Sequence, residues 1–463
     1  MKKHSNYITK FAGVTVLVFA LILISCEKWI DPNLNVDPDS PSEVPMKLML
    51  PAIQQAFGYN MAGNDLVRTT NIWMQQFDGV DRQSYTEARY QLLPADVNNV
   101  WYSIYNNILM NAKTMVDVAE NTEGKESPYN AGVARVLIAA TLGISTDLFG
   151  DMPFRDAFRG TDNILKPQFE TQEELYDTLF TILDEAIVNL NSTTNAVPVG
   201  GDVIYNGSTA KWKKAAYSIK ARHELQLSQV NGNSAYTEAL AAAANGFASN
   251  DDDLLVPWNV DNHNPIFQFM EQRTDIRMGA TLVDILKAND DPRLPFYAAQ
   301  DGNGEYTGSV IGSQNGDASK PGSYIAGQSA SSVMMTYSEL KFIEAEAHLA
   351  LGQTAEAQAA FEDAVTASVL RVTGAANTEW LAANVIGIPV TKDLIMTQKY
   401  IDSFGTNQAY ADYRRTGLPA ITIPPGANLT AVPTRFPYAQ DEITYNGANV
   451  PTVTISDKLW WDK

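Results

Sequence analysis

The chain's one thiol, Cys26, stands where a thiol can be acylated. Lys2, Lys3 and Lys10 precede it with no acid among them, Phe11 to Ile24 is an almost unbroken apolar run, and Ser25 is the small residue before the cysteine. A basic start, a short apolar core and a small residue at the cut make a secretory signal. The apolar run has 14 residues, short of the roughly 20 a membrane span needs. The expectation is therefore cleavage before Cys26 and attachment of lipid to its sulfur, as in a lipobox. A lone cysteine has no disulfide partner, so the fold must hold without one.

Other chemistry finds little support. His223, His263 and His348 are isolated once His4 leaves with the signal, and no His-Glu-x-x-His, P-loop or Gly-x-Gly-x-x-Gly occurs. Gly327-Gln328-Ser329-Ala330-Ser331 lacks the last glycine of a nucleophile elbow and reads as a loop serine. Asp301-Gly302-Asn303-Gly304-Glu305 alternates oxygen ligands as a calcium loop does, but Tyr306 stands where the sharp turn needs glycine, so a plain turn is expected. No cofactor is called for, and calcium is not supported. Acids are abundant, and a glycosidase pair is recognised only by its separation in space. A surface glycoside hydrolase therefore stays open as an alternative, although no catalytic residue is assigned.

The aromatic content points to binding. Tyr, Phe and Trp make up 10% of the chain. Their flat faces stack on the C–H faces of sugar rings while amides and carboxylates fix the hydroxyls. At helical spacing an aromatic is core, which assigns Trp101, Trp212, Phe342 and Phe361 to the interior. Trp73, Gln76, Asp78 and Tyr85 form a denser mixture of aromatic, amide and acid, and we take them as ligand contacts. The loop residues Trp258 and Tyr324 join them, with Arg277 as a polar wall.

Helical periodicity dominates the elements that hold these residues. Leu175, Leu179, Ile182, Ala186 and Leu190 follow Thr171 with Glu173 and Glu174 in the first turn, a capped amphipathic helix. Residues 97–118, 134–148 and 210–227 read as further helices. Leu340, Ile343, Ala347 and Leu351 mark a helix that Gly352 ends, and Ala357, Phe361 and Ala364 mark a second. That pair resembles a tetratricopeptide unit, and one unit cannot bury its face alone. The stretches 251–264, 299–332 and 416–448 are rich in Gly, Pro, Asn and Asp, yet they carry Trp258, Tyr306, Tyr324, Phe436 and Tyr438. Ordered loops are expected. Residues 1–25 are read as the signal, 26–45 as a Pro-rich tether and 46–463 as one domain.

The net charge is −20, and removing residues 1–25, with three lysines and no acid, takes it to −23. Nucleic acid and anionic lipid are poor partners for such a chain.

Several motifs occur in a telling order: the lipobox at Cys26, Asp31-Pro32-Asn33, Leu148-Phe149-Gly150-Asp151-Met152-Pro153-Phe154, Asp291-Pro292-Arg293-Leu294, the helix pair 338–365, Arg435-Phe436-Pro437-Tyr438 and Trp460-Trp461-Asp462-Lys463. Together they resemble the SusD/RagB-like nutrient-binding outer-membrane lipoproteins of Bacteroidetes, in the SusD-like branch. The resemblance implies a mainly α fold, a scaffold of tetratricopeptide-type helical repeats with a loop-rich subdomain packed on it. It implies lipidation at Cys26 and a non-enzymatic role at the cell surface. There such proteins bind oligosaccharides, or sometimes peptides, and act as the lid of a SusC-like TonB-dependent outer-membrane transporter. A tetratricopeptide scaffold that touches no nutrient is the other alternative.

Overall fold

The structure, a computed structural model, describes residues 44–462; the signal, Cys26 and residues 27–43 of the tether lie outside them. In chain order, α1 (Met46–Asn60), α2 (Asp65–Trp73), β1 (Phe77–Gly79) and α3 (Arg82–Ala88) come first. α4 (Asn98–Tyr102) runs through a π-helical segment, Ser103–Leu109, into α5 (Met110–Asn121), and α6 (Pro128–Phe149), α7 (Gln172–Leu190), α8 (Thr209–Gln226) and α9 (Asn233–Ala243) follow. The middle of the chain holds β2 (Leu254–Val256), α10 (Pro265–Gln272), β3 (Ile276–Met278) and β4 (Ser332–Met335). The last part holds α11 (Tyr337–Ala350), α12 (Thr354–Thr373), α13 (Lys392–Asp402), α14 (Gln408–Thr416) and α15 (Gln440–Asn446). The fold is mainly α, as expected, and further helices, among them Ala280–Ala288 and Thr378–Asn384, lie between these elements.

Helices pack side by side along the chain, α5 on α6, α6 on α7, α7 on α8, α8 on α9 and α11 on α12, and α9 packs on α11 across the loop-rich middle. The local signals that start and stop them are those of the sequence. Thr171 caps α7 by accepting from the Glu174 amide while the Glu174 carboxylate accepts from the Thr171 amide, a closed capping box. Gly352, at φ +76°, turns the chain between α11 and α12 in a conformation that suits glycine. Ala345, Ala357, Ala360 and Ala364 let these two helices approach, and Phe342 meets Phe361 edge to face, 6.4 Å between centroids.

α6 sits at the centre of the array. With 22 residues it is long and apolar enough on average to cross a bilayer, yet 94% of its most apolar stretch is buried inside the protein, so it is a core helix. Two glycines permit this. Gly132 packs against Leu190 and Ala186 of α7, and a Cβ on Gly143 would run into the ring of His223 on α8.

The distant motifs meet in space. The Phe436 amide donates to the Leu148 carbonyl at 2.7 Å, Arg435 donates to the Phe149 carbonyl, and the Tyr438 hydroxyl donates to the Asp151 carbonyl at 2.9 Å. Trp461 closes the same region, donating from Nε1 to Asp147 at 3.0 Å. Burial pushes the Asp147 carboxyl up to about 6, against the hydrogen bond from Tyr176 and the nearby Arg414 charge. Asp291 and Arg293 form a fully buried fork, with Nε and Nη2 at 2.9 and 2.7 Å from the two carboxylate oxygens. The same guanidinium reaches Ser368 of α12 and Gln398 of α13. These motifs are the joints between the helical array and the loop-rich part.

Two short antiparallel ribbons organise that part. β1 pairs with β3, placing Asp78 opposite Arg277, and β2 pairs with β4. The long loops are ordered, as expected. Asp301 accepts from the amides of Asn303 and Glu305 and from the Thr307 hydroxyl, so its carboxylate is used in its own turn.

Candidate functional site

Several of the sequence-selected residues are interior. Trp73 is fully buried, donates from Nε1 to the Glu87 carbonyl at 3.1 Å, and packs edge-on against Tyr410 and Phe436 with centroids 5.3 and 5.0 Å away. It offers no face to a ligand. Gln76 is buried and its amide donates to the Tyr400 carbonyl at 2.7 Å. Asp78 is buried too, accepting from the Ser309 hydroxyl and the Gly312 amide, and burial pushes its carboxyl up to about 6. Arg277 is spent on the carbonyls of Gly316, Thr274 and Ile276, so it clamps a loop and does not wall a cleft. Trp258 is buried, donates to the Ser332 hydroxyl at 2.9 Å, and meets Tyr59 edge-on at 6.5 Å. Tyr324 is half-buried between Tyr297 and Arg371, which donates to its hydroxyl. Tyr85 is half-buried under the Arg89 guanidinium, 5.6 Å from the ring centroid.

These residues do not converge on one cleft, and none lines the polar cleft that lies nearby, behind which Trp258 backs Tyr59. That cleft has a volume of about 250 Å³ and is lined by Tyr59, Asn64, Asp65, Arg68, Gln83, Asn99, Pro265, Gln268, Phe269, Gln272 and Arg273. Tyr59 comes from the end of α1, with Trp258 behind it. Asn64, Asp65 and Arg68 come from the first turn of α2 and the residue before it, Gln83 from α3, and Asn99 from α4. α10 supplies the opposite wall, starting from Asn264, whose side chain accepts from the amides of Ile266 and Phe267 while Pro265 takes the first helical position.

The floor is built around Arg68. Its Cζ lies 4.3 Å over the Phe269 centroid, Nη2 donates to Asp65 at 2.8 Å and Nη1 to Asn64 at 3.1 Å. Behind it Glu87 is fully enclosed at 3.9 Å from Nη2, and burial pushes its carboxyl up to about 7 in spite of that charge. The ring and the guanidinium are thus fixed before any ligand arrives. By contrast, the side-chain amides of Gln83, Asn99 and Gln272 make no hydrogen bond among the described residues. Fixed aromatic faces beside free amides can hold a polyhydroxylated ring: the faces take C–H surface, and the amides donate to and accept from hydroxyls. Asp65 is the cleft's only lining carboxylate, and it is committed to Arg68.

A larger cavity, about 410 Å³, lies between α5, α6 and α7. Its floor is Val116, Ile138, Ile182 and Phe154, and Arg135 on its rim is held by Glu120 and Glu185. Phe154 is 5% exposed and presents no stacking face, so the smaller cleft is the better candidate. Among the described residues no group of three His, Cys, Asp or Glu side chains is arranged to hold a metal ion.

Comparison with known proteins follows the same lines. A search of curated proteins gave no match. Among solved structures, a SusD/RagB family protein from Bacteroides thetaiotaomicron is 24% identical, with a TM-score of 0.76 over 91% of this chain and 99% of that one. A chitin-binding protein is 26% identical, with a TM-score of 0.76 over 90% of this chain and 100% of its own. A chitin-binding SusD homolog from Flavobacterium johnsoniae is 22% identical, with a TM-score of 0.74 over 90% and 98%. The family model described as "Starch-binding associating with outer membrane" matches residues 38–439. With that match across most of its length, the chain belongs to the SusD-like family of outer-membrane-associated proteins.

Proposed function

We propose that the protein captures neutral oligosaccharides in the cleft between α2 and α10 and binds them without turnover. The observation that carries this is the preformed Arg68–Phe269 stack facing three uncommitted amides. The family description, starch-binding, and the chitin-binding neighbours support a glycan as the ligand class. A glycosidase needs two carboxyl groups about 5–9.5 Å apart, whereas this cleft is lined by one. Lipid on Cys26 would tether the protein to the outer membrane at the cell surface, and the Pro-rich stretch after it would let the body act as the lid of a SusC-like TonB-dependent transporter.

The direct test is affinity electrophoresis of residues 27–463 through starch and chitin-type glycans, with Phe269→Ala alongside. Retardation of the parent protein, lost in Phe269→Ala, is the expected result. Release of shorter sugars from the glycan would instead establish a hydrolase.

A further inference from the structure

Three buried polar side chains from separate helices approach one another without completing their hydrogen bonds. Asp147, in the last turn of α6, uses its two carboxylate oxygens differently. Oδ1 accepts from the Tyr176 hydroxyl at 2.6 Å and from Trp461 Nε1 at 3.0 Å. Oδ2 stands 3.7 Å from Nδ1 of His223 on α8, too far for a hydrogen bond. His223 is 1% exposed, and neither ring nitrogen has a hydrogen-bond partner among the described residues. Arg414, on α14, donates through Nη1 to the carbonyls of Asp147 and Thr434 at 2.6 and 3.0 Å, whereas its Nη2 is buried and has no partner among the described residues.

Buried polar groups are satisfied in the great majority of cases, by protein or by ordered water. Asp147, His223 and Arg414 all line one cavity of about 20 Å³. A water needs roughly 10–15 Å³ on that scale and two to four polar partners. The cavity suits one water, and these side chains offer it three partners. Arg222 lines the cavity too, but it is committed to Glu339 and to the Met334 carbonyl. A chloride would be drawn by the two arginines, yet it would lie against the Asp147 carboxylate, so charge favours the neutral molecule.

We infer that a single internal water joins Asp147, His223 and Arg414 and so links α6, α8 and α14. The setting of the ring gives its bonds their direction. His223 Nε2 is turned to Gly143, where a Cβ would strike it, so it faces backbone hydrocarbon. The tautomer with its proton on Nδ1 therefore leaves only a lone pair unmet rather than an N–H. The water accepts from His223 Nδ1–H and from Arg414 Nη2–H and donates to Asp147 Oδ2. Asp147 already binds Trp461 and Arg414 directly, and the water adds α8 to that joint.

The experiment is a crystal structure of residues 27–463 from a crystal soaked in bromide, with the His223 tautomer read by nitrogen-15 NMR, because the proton is not visible at ordinary resolution. The expected result is one compact density peak without anomalous signal, about 2.6–3.2 Å from Asp147 Oδ2, His223 Nδ1 and Arg414 Nη2, and a neutral ring protonated on Nδ1. A direct hydrogen bond between His223 and Asp147 with no peak beside it would overturn the inference. An anomalous bromide peak would overturn it as well, by making the site one for an anion. A ring protonated on Nε2 would overturn the assigned bonds. None of these results bears on glycan capture.

Discussion

The Arg68 guanidinium lies over Phe269, its Cζ 4.3 Å from the ring centroid, and joins α2 to α10 across the floor of the candidate cleft. The contact fixes the Phe269 ring on the floor of a polar depression, with Asp65 beside the guanidinium and Glu87 enclosed behind it. Phe269→Ala should remove the stacking face, cutting glycan affinity by about tenfold or more while changing the melting temperature little, because the ring is half-exposed. Arg68→Ala should behave differently. It strips a buried group of its partners and should cost about 1–3 kcal/mol of stability as well as affinity. Calorimetry paired with thermal melts separates the two variants, and equal stability losses in both would contradict the assigned roles.

A second expectation concerns pH. Burial pushes the carboxyls of Asp78 and Asp147 up to about 6 and those of Glu87 and Asp253 up to about 7. A carboxyl whose folded value is raised binds its proton more tightly in the fold than in the unfolded chain. Its stabilising contribution is complete below the ordinary carboxylate range, about 4, and is lost as pH rises from there to about 7. Glu346 works the other way. Burial pushes it up, but Arg415 and Lys399 override that and hold it low, so its contribution is lost only in stronger acid. The net charge of −20 adds self-repulsion at high pH. His223, whose pKa burial lowers to about 3, opposes this by losing stability as pH falls below its ordinary value, but one imidazole is outweighed by four raised carboxyls. The melting temperature should therefore be a few degrees higher at pH 5.5 than at pH 8.5, and the reverse order would refute the account of these buried acids.

The closing tryptophan carries a third. Trp461 is fully buried, donates to Asp147, and takes the Arg414 guanidinium over its ring at 4.7 Å. Trp461→Ala should cost about 3–5 kcal/mol, seen as a lower urea midpoint. An unchanged midpoint would mean that the joint between the C-terminal segment and α6 does not support the fold.

Gly143 gives a fourth. Its missing Cβ is where the His223 ring packs, and that ring is fully buried and kept neutral, with its pKa lowered by burial to about 3. Gly143→Ala should destabilise by about 1–3 kcal/mol through overpacking. The better helix propensity of alanine would make the same change stabilising if α6 and α8 could separate, so the sign of the shift in denaturant midpoint decides between the two.

Much of the fold was legible because its signals are local. The Thr171 capping box, the stop at Gly352 and the Ala357, Phe361, Ala364 spacing each lie within one or two turns, and each does in the structure what its spacing implies. The site was less legible. Trp73, Gln76 and Asp78 have the composition of a binding patch, but their partners lie far along the chain: Tyr400 for Gln76, Tyr410 and Phe436 for Trp73, Ser309 for Asp78. Nothing near them in sequence reveals that they are enclosed. The cleft residues have the opposite problem. Tyr59, Arg68, Asn99 and Phe269 come from four helices and share no spacing. The one local clue was the Asp65–Arg68 pair, three residues apart at the start of a helix, a weak signal until Phe269 is seen beneath it.

The central claim is that this cleft captures a glycan without cleaving it. The most direct measurement is affinity electrophoresis of the parent protein and Phe269→Ala through starch and chitin-type glycans, followed by analysis of the glycan for shortened products. The account predicts retardation in at least one glycan, its loss in Phe269→Ala, and an intact polymer. Retardation that survives the substitution, or a glycan shortened by the parent protein, would contradict it.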